Sequence, residues 1–289
     1  MKIIIIGADG QLGSDLSRII PVEMQIPLTI KDIDISQKER TIDIIKKHSP
    51  DVVINTAAYH RVDDCEDNVE TAFLVNSIGP RYLALACKEI NAKLVHVSTD
   101  YVFDGSKKTP YLEDDLPKPR SVYAISKLAG EYCVRTIYEK HFVVRSSGLY
   151  GIAGCLGKGG GNFVDNIIKQ AESNPELKVV GDEVVSPTYS ADLAKKIFEL
   201  IKTEHYGLYH IVNHGGASWY AFANKIFQIM GKKIIINEVK ASDFKLKASR
   251  PSYSVLQNGA LKKIGLDDLR TWEEALADYL AQKGYLKNK

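Results

Sequence analysis

The chain has 289 residues, of which 45% are hydrophobic, and its 38 basic and 36 acidic side chains give a formal net charge of +2. This length suits one large domain, or a domain with a smaller attachment, with ample apolar material for a buried core. The nearly balanced charge excludes a broad basic field, so no nucleic-acid partner is expected and a substrate anion must be held locally. No apolar run reaches the roughly 18 residues that a membrane span needs, so no membrane partner is expected.

The cysteines and histidines are scattered along the chain. Cys65, Cys87, Cys133 and Cys155 show neither metal-ligand spacing nor a dense disulfide framework, and the seven histidines form no ligand cluster. No metal site is therefore expected. Free thiols are typical of a reducing compartment, and residues 1–7 are too short for a signal sequence, so a cytoplasmic location is expected.

Short β-branched runs alternate with helical stretches in the first half of the chain. Runs buried on both faces, each followed by a helix, predict a parallel sheet with right-handed crossovers, which is a doubly wound α/β fold. Ser36 is expected to cap the second helix, and Pro119 and Ser121 mark the start of the helix at 122. The predicted strands are 2–6, 26–30, 51–55, 93–97, 141–145, 207–212 and 233–239, and the predicted helices are 11–20, 36–48, 67–90, 122–139, 162–172, 190–202, 219–230 and 271–282.

A glycine-rich turn joins the first strand to the first helix. Gly7, Gly10 and Gly13 permit a tight turn, a close approach of the backbone to a pyrophosphate, and packing of the helix on the sheet. The helix N-terminus adds free N–H groups and a favourable dipole. The spacing differs from the G-x-G-x-x-G of long dehydrogenases, and a turn that serves packing alone is the alternative. With a strand before it and a helix after it, the turn predicts dinucleotide binding in a Rossmann fold.

The end of the second strand bears on the type of nicotinamide cofactor. No acidic residue stands directly at that end to hold an adenosine ribose, and Lys31 lies nearby. A cation there tolerates a 2′-phosphate, which favours NADPH, with NADH as the alternative. An ordinary solvated charge is an equally good interpretation of Lys31.

The pattern changes after residue 145. Residues 151–161 are rich in glycine and lack periodicity, so we expect a loop near the functional site. We therefore expect a Rossmann domain over residues 1–148, to which residues 182–204 also belong. A smaller, discontinuous C-terminal substrate-binding lobe over 149–289 is expected to cover the carboxyl edge of the sheet.

Tyr123 and Lys127 lie four residues apart, on one face of the predicted helix. A nearby cation stabilises a phenolate and so lowers the pKa of the phenol from its usual value of about 10. The pair is a general acid suited to protonating an oxygen while a hydride adds to the neighbouring carbon. Such pairs are common on amphipathic surfaces, but Ser98 and Thr99 supply a context. They follow the fourth strand at the edge where doubly wound sheets bind ligands.

Five motifs resemble one known family. They are Gly7-x-x-Gly10-Gln11-Leu12-Gly13, Asn55-Thr56-Ala57-Ala58-Tyr59, Ser98-Thr99-Asp100-Tyr101-Val102-Phe103-Asp104-Gly105, Tyr123-x-x-x-Lys127-x-x-Gly130-Glu131 and Ser186-Pro187-Thr188. In this order they resemble the dTDP-4-dehydrorhamnose reductases, and the resemblance runs from Met1 to about Trp272. It implies NAD(P)H-dependent reduction of the C4 keto group of a nucleotide-linked deoxysugar, with dTDP-4-dehydro-L-rhamnose as the expected substrate. A homodimer is compatible with it.

The resemblance also implies roles for individual residues. Thr99 would hold the C4 carbonyl oxygen, Tyr123 would protonate it, and Lys127 would lower the pKa of Tyr123 and bind the nicotinamide ribose. The residues implied to bind the cofactor are Gly7, Gly10, Gln11, Leu12, Gly13, Asp34, Ile35, Ala57, Ala58, Tyr59, Asn76, Tyr123 and Lys127. The residues implied to bind the substrate are Thr99, Asp100, Tyr101, Asn162 and Arg250.

Differences from related patterns bear on the reaction and the substrate. Sugar-nucleotide 4,6-dehydratases carry Thr-Asp-Glu where this chain has Thr99-Asp100-Tyr101, so an acid needed for elimination is missing and reduction is favoured. Gly148 stands where the family usually has a Trp that packs near the sugar. The loop at 152–161 is also longer than usual, so the sugar and the nucleotide stay open.

Two alternative functions remain at this point. A reductase or epimerase for a different nucleotide sugar has the same motifs. A non-catalytic, cofactor-binding regulatory subunit is also compatible with these motifs, since a regulatory subunit of methionine adenosyltransferase resembles this family.

Asp15 and Glu273 match two positions of a magnesium site that some family members have at a dimer contact, but ordinary surface carboxylates are the preferred interpretation.

Overall fold

The computed structural model describes residues 1–154 and 160–286, so Cys155 and the middle of the predicted loop lie outside the described residues. The strands are β1 (Ile3–Ile6), β2 (Gln25–Leu28), β3 (Val52–Asn55), β4 (Lys93–Thr99), β5 (His141–Ser146), β6 (Leu149–Tyr150), β7 (Glu176–Val180), β8 (Val184–Val185), β9 (Thr188–Tyr189), β10 (Gly207–His210), β11 (Ala217–Ser218) and β12 (Ile235–Val239). The helices are α1 (Gln11–Ile19), α2 (Lys38–His48), α3 (Val62–Asp67), α4 (Val69–Phe73), α5 (Gly79–Ile90), α6 (Val122–Ile137), α7 (Phe163–Ser173), α8 (Ser190–Leu200), α9 (Trp219–Ile229), α10 (Gly259–Lys263) and α11 (Trp272–Gln282).

A six-stranded sheet organises the fold, in the order β10-β5-β4-β3-β1-β2, and every pairing in it is parallel. The strand order reverses between β1 and β3, and doubly wound sheets bind ligands in the crevice beyond the carboxyl ends at such a point. The doubly wound α/β fold predicted from the sequence is confirmed. None of the helices in the described ranges is long and apolar enough to cross a bilayer.

Both faces of the sheet are buried under helices, which explains the uninterrupted apolar strands. Ile3 and Ile5 of β1 pack in one core with side chains of α1 and α8. Ile4 and Ile6 pack in the opposite core with side chains of α2, α5 and α6. Successive side chains of a strand point to opposite faces, so a strand covered on both sides is apolar at every position.

A further core, which we call the aromatic core, lies in the C-terminal half and is rich in aromatic side chains. Its buried members include Tyr150, Tyr189, Phe222, Trp272 and Tyr279. The strand β10, however, joins the large sheet beside β5, and α8 packs on α1 against the same sheet. The chain after residue 148 therefore contributes a strand as well as a helix to the large sheet, and the division into two domains stays a prediction.

Several local predictions were wrong. Ser36 does not cap α2; its hydroxyl instead donates to Asp34, 2.7 Å away, and Gln37 holds the cap position. The single helix predicted over 67–90 is interrupted at Asn68, which separates α3 from α4, and it contains a π-helical turn, Leu74–Ile78. Pro80 cannot donate to the carbonyl four residues earlier, and a widened turn accommodates that loss.

Candidate active site

The turn after β1 has room for nothing larger than glycine at two positions. Gly7 has a φ of +78°, and a Cβ there would lie 2.8 Å from Thr56 Oγ1. A Cβ at Gly13 would lie 2.0 Å from the Gly7 carbonyl oxygen, so this glycine lets α1 pack against the turn. Gly10 is the N-cap of α1 and gives it no side-chain cap, so no capping side chain occupies the first N–H groups of the helix.

The next residues of α1 differ in what they offer a ligand. The side-chain oxygen Oε1 of Gln11 is buried and has no hydrogen-bond partner within the described residues. A buried acceptor of this kind normally has a hydrogen-bond donor. The side chain of Leu12 lies in the sheet core, so only its backbone faces the crevice.

The loop that follows β3 is held in place by the side-chain amide of a buried asparagine. Asn76 is fully buried in the π-helical turn. Its Oδ1 accepts the Tyr59 N–H at 2.8 Å, and its Nδ2 donates to the Tyr59 carbonyl and to Ser126 Oγ. Asn76 therefore joins the half-buried loop of Ala57, Ala58 and Tyr59 to α6.

The loop after β2 and the first turn of α2 each carry a cation, Lys31 and Arg40. Asp34 accepts hydrogen bonds from Ser36; burial alone would raise the pKa of Asp34, but these bonds lower it. The side chain of Ile35 is in the core, where a Cβ on Gly79 would lie 2.8 Å from it, so only the backbone of Ile35 is available to a ligand. Arg40 donates to the backbone carbonyls of Lys31 and Asp32, so its guanidinium lies against this loop; Arg40 was not singled out from the sequence.

Thr99, Tyr123 and Lys127 meet at the carboxyl end of β4. Thr99 ends that strand, and its Oγ1 accepts the Tyr101 N–H at 3.1 Å. The rings of Tyr101 and Tyr123 pack edge to face with their centroids 6.1 Å apart. Lys127 is 2% exposed, and its Nζ donates to the Val97 carbonyl at 2.6 Å. The structure thus brings a hydroxyl, a phenol and an ammonium to one sheet edge.

The helix α6 is fixed at its N-terminus and again in its interior. Ser121 caps it by accepting the Ala124 N–H, so the predicted start signal is confirmed. One turn after Lys127, Glu131 is fully buried and forms a two-pronged pair with Arg145, with N···O distances of 2.9 and 2.7 Å.

This buried pair also reaches β4. Ser98 Oγ donates to Glu131 Oε1 at 2.5 Å, next to Thr99 in the chain. An unpaired buried charge is strongly destabilising, so the pair resists any sliding of α6 along the sheet. Burial lowers the pKa of Lys127 to about 8, and the charge of Glu131 acts in the opposite direction.

Two residues that the resemblance assigned to the substrate make internal contacts instead. Asp100 is buried, and its carboxylate accepts the hydroxyls of Ser147 at 2.8 Å and Ser254 at 2.5 Å. Burial raises the pKa of Asp100 to about 6, while these hydrogen bonds limit the rise. Asn162 caps α7 and donates to the Gly151 carbonyl and to Tyr279. The geometry gives no support to a substrate contact by either side chain.

Arg250 lies near Tyr101 and is partly buried, with 17% of its side chain exposed. Its Nη2 donates to Asp63 at 2.6 Å, and its positive charge acts to lower the pKa of Tyr101 and of Glu183. Burial raises the pKa of Glu183, and Arg250 opposes this shift. Neither Asp63 nor Glu183 was singled out from the sequence, because their partner is nearly 190 or about 70 residues away and no local pattern connects them.

The position where the family usually has Trp has an unusual backbone. Gly148 has a φ of +54°, and a Cβ there would lie 3.0 Å from the Ser186 carbonyl oxygen. A Trp with this backbone would be strained and would press on the segment that contains Ser186 and Pro187. The local backbone conformation therefore favours glycine at this position, in addition to the space that the missing Trp side chain leaves.

Asp15 is not the surface carboxylate that was expected. It is fully buried, and its oxygens accept hydrogen bonds from Ser190 and from Arg18. Burial raises the pKa of Asp15, and the two donors oppose the shift. Within the described ranges, no three His, Cys, Asp or Glu side chains are grouped so that they could hold a metal ion.

A doubly wound sheet that presents a hydroxyl, a phenol and a buried ammonium at its carboxyl edge defines an oxidoreductase of the short-chain dehydrogenase type. The family model described as RmlD substrate binding domain matches residues 1–284. The spore coat polysaccharide biosynthesis protein SpsK of Bacillus subtilis strain 168 is 39% identical, over 98% of this chain and 98% of its own length. The chain belongs to the dTDP-4-dehydrorhamnose reductase family.

Two further relatives carry the family's name. The dTDP-4-dehydrorhamnose reductase of Mycobacterium tuberculosis H37Rv is 38% identical, over 97% of this chain and 92% of its own length. The crystal structure of dTDP-4-dehydrorhamnose reductase from Bacillus anthracis strain Ames in complex with NADP has a TM-score of 0.93, with 38% identity over 98% of this chain and all of that one.

Proposed function

We propose that the protein reduces the C4 keto group of a nucleotide-linked deoxysugar with NADPH, and that it converts dTDP-4-dehydro-L-rhamnose to dTDP-L-rhamnose. The observation that carries the proposal is the meeting of Thr99, Tyr123 and Lys127 beside a turn built for a pyrophosphate. The names of the two reductases described above support the same reaction.

The residues around the turn fit a dinucleotide. The uncapped N-terminus of α1 offers N–H groups to a pyrophosphate, and Gln11 Oε1 is a buried acceptor that needs a donor. Arg40 contacts the backbone of Lys31, so the segment after β2 and the start of α2 offer two cations to an adenosine 2′-phosphate, which favours NADPH over NADH. When bound, the reduced nicotinamide supplies a hydride.

Tyr123 then acts as the general acid for the carbonyl oxygen of the sugar. The ammonium of Lys127, held by the Val97 carbonyl, stabilises the phenolate that remains after the proton has left. In the structure the hydroxyl proton of Thr99 points to Asp100 Oδ1, 3.1 Å away. The Thr99 hydroxyl can rotate to donate to a substrate oxygen, because Asp100 still accepts hydrogen bonds from the hydroxyls of Ser147 and Ser254.

A reductase of a different nucleotide-linked deoxysugar is the second candidate. The observation in its favour is Gly148, whose backbone does not suit the Trp that the family usually has near the sugar. The relative SpsK, named for spore coat polysaccharide biosynthesis, does not point to one sugar.

The test follows the absorbance of the reduced nicotinamide with purified protein, NADPH and dTDP-4-dehydrorhamnose. We expect oxidation that depends on both sugar and protein. Tyr123→Phe is expected to lower kcat by about 10²- to 10⁴-fold, the usual contribution of a general acid, and to leave NADPH affinity unchanged. Tyr132→Phe, at an exposed position of the same helix, is the matched control.

The possible outcomes separate the candidates. A Tyr123→Phe variant that works at the parent rate would show that the general acid is misassigned. Turnover of another 4-keto sugar nucleotide, with none of dTDP-4-dehydrorhamnose, would support the second candidate. NADPH binding without turnover of any keto sugar would favour a non-catalytic subunit.

A further inference from the structure

One carboxylate connects two distant parts of the chain beside the proposed site. Asp63 lies in the first turn of α3, just after the loop that ends at Tyr59. Its Oδ1 accepts the backbone N–H groups of Lys247 and Ala248, each at 3.0 Å. The same carboxylate accepts Nη1 and Nη2 of Arg250 at 3.4 and 2.6 Å. We call residues 247–250 the strap.

The four hydrogen bonds have different effects. The two backbone bonds fix the path of the strap over α3. The two guanidinium bonds fix the orientation of Arg250, because a carboxylate that binds both terminal nitrogens holds the planar group in one plane. The Asp63 pKa is lowered chiefly by the hydrogen bonds from Arg250, so the carboxylate is charged at neutral pH.

The chain beyond the strap is also anchored. Pro251 restricts the backbone of Arg250 to extended conformations. The following segment approaches Gly105 so closely that a Cβ there would lie 2.7 Å from the Ser252 nitrogen. Arg250 is thus held from both sides, with the phenol of Tyr101 near its charge.

The hydrogen bonds leave one edge of the guanidinium for a ligand. An Arg side chain has five N–H donors. Within the described residues its bonds to Asp63 and to the Ala248 carbonyl use both donors of Nη1 and one of Nη2. The remaining donors, on Nε and Nη2, are parallel and match two oxygens of a phosphate group. Glu183 is the other carboxyl near this charge, and burial favours its neutral form.

We infer that Asp63 is a positioning residue for the diphosphate of the substrate: it lays the strap across the site and turns the free edge of Arg250 towards the phosphates. The inference rests on the proposed function, since it assumes a nucleoside diphosphate sugar as the substrate. It assigns to Asp63 no contact with the reacting atoms.

The test compares the binding of dTDP and of thymidine by calorimetry, in the full chain with NADPH present. Asp63→Asn is expected to weaken dTDP binding about tenfold or more, the effect of a lost charge-assisted hydrogen bond, and to change thymidine binding less than about twofold. With the nucleotide sugar, KM is expected to rise and kcat to stay within about threefold. Asp67→Asn is the matched control, because Asp67 pairs with Lys247 of the same strap and does not touch Arg250. It is expected to leave both affinities unchanged.

A double-mutant cycle completes the experiment. If Asp63 acts through Arg250, Arg250→Lys is expected to cost little further dTDP affinity in the Asp63→Asn background. If Asp63→Asn does not fold, Asp63→Glu keeps the charge, shifts the carboxylate, and is expected to give the same selective loss of dTDP. Parent-like dTDP affinity in the Asp63 variants, an equal loss for thymidine, or additive effects in the cycle would overturn the inference. A parent protein that binds no dTDP would instead refute the substrate class of the proposed function.

Discussion

At the scale of the residue, Lys127 sets an alkaline limit on the proposed chemistry. Burial lowers its pKa to about 8, so the ammonium that supports Tyr123 is lost as the pH rises through that value. We expect kcat/KM for the reduction to be level below pH 8 and to fall above it. The measurement is a pH–rate profile at saturating NADPH, with the folded fraction checked at each pH.

Lys127→Arg tests whether Lys127 is the group that titrates. A guanidinium does not lose its proton in this range, so the variant is expected to be slower but to lack the alkaline fall near pH 8. An unchanged fall in the variant would assign the titration to another group.

At the scale of the element, two glycines of the turn between β1 and α1 are expected to differ in role: Gly13 is needed for folding and Gly10 for ligand binding. A Cβ at Gly13 would lie 2.0 Å from backbone, whereas one at Gly10 would lie 3.2 Å from the Gly7 carbonyl oxygen. Gly13→Ala is therefore expected to reduce the free energy of unfolding by about 3 kcal/mol or more. Gly10→Ala is expected to fold, at a cost of about 1 kcal/mol, but to bind NADPH at least about tenfold more weakly, because its methyl group stands between α1 and the pyrophosphate.

Urea unfolding and fluorescence titration with NADPH measure the two effects separately. The two variants serve as controls for one another, since each is expected to change mainly one of the two quantities. Full NADPH affinity in a folded Gly10→Ala protein would contradict the position proposed for the pyrophosphate.

Elements with strong local patterns were predictable from the sequence, and contacts between distant segments were not. The strand of four isoleucines and the Tyr123-Lys127 helix follow from periodicity and capping. The π-helical turn does not, because Pro80 only weakens a helix whose other residues favour it. Asp100 was expected to face the sugar; it turns inward because tertiary folding brings Ser147 and Ser254 to it. Periodicity reports burial, and it does not identify the partner of a buried polar group.

At the scale of the whole molecule, α8 connects the aromatic core to the core of the large sheet that contains Ile3 and Ile5. It follows directly from β9, whose Tyr189 lies in the aromatic core, while Leu193 and Ile197 of α8 lie in the core of the large sheet. Arg270 pairs with Asp192 of α8 and with Asp278 of α11. Disruption of either core therefore affects the other, and unfolding as one cooperative transition is the expected behaviour.

That transition is expected to be sensitive to acid through His210, a fully buried residue at the end of β10. Its Nδ1 lies 3.1 Å from the Tyr111 carbonyl oxygen and 3.2 Å from that of Gln257. Burial lowers its pKa to about 3, and the charge of Arg145 acts in the same direction. The unfolded chain takes up a proton at about pH 6.5, so the contribution of His210 to stability is complete above that pH and is lost as the pH falls towards 3.

His210→Asn isolates this contribution, because an Asn amide can donate to the same carbonyls and does not titrate. The variant is expected to be less stable than the parent at pH 8. The difference between their free energies of unfolding, the gap, is expected to narrow by about 2 kcal/mol between pH 8 and pH 5. This value follows because pH 5 lies about 1.5 units below the pKa of His in the unfolded chain, and each unit contributes about 1.4 kcal/mol. Urea unfolding at both pH values measures the gap. Other titrating groups, such as Asp100, cancel in the comparison of the two proteins. His205→Asn, at an exposed position, is the control for the substitution itself. A constant gap for His210→Asn would mean that the folded protein accepts a proton on His210 as readily as the unfolded chain does.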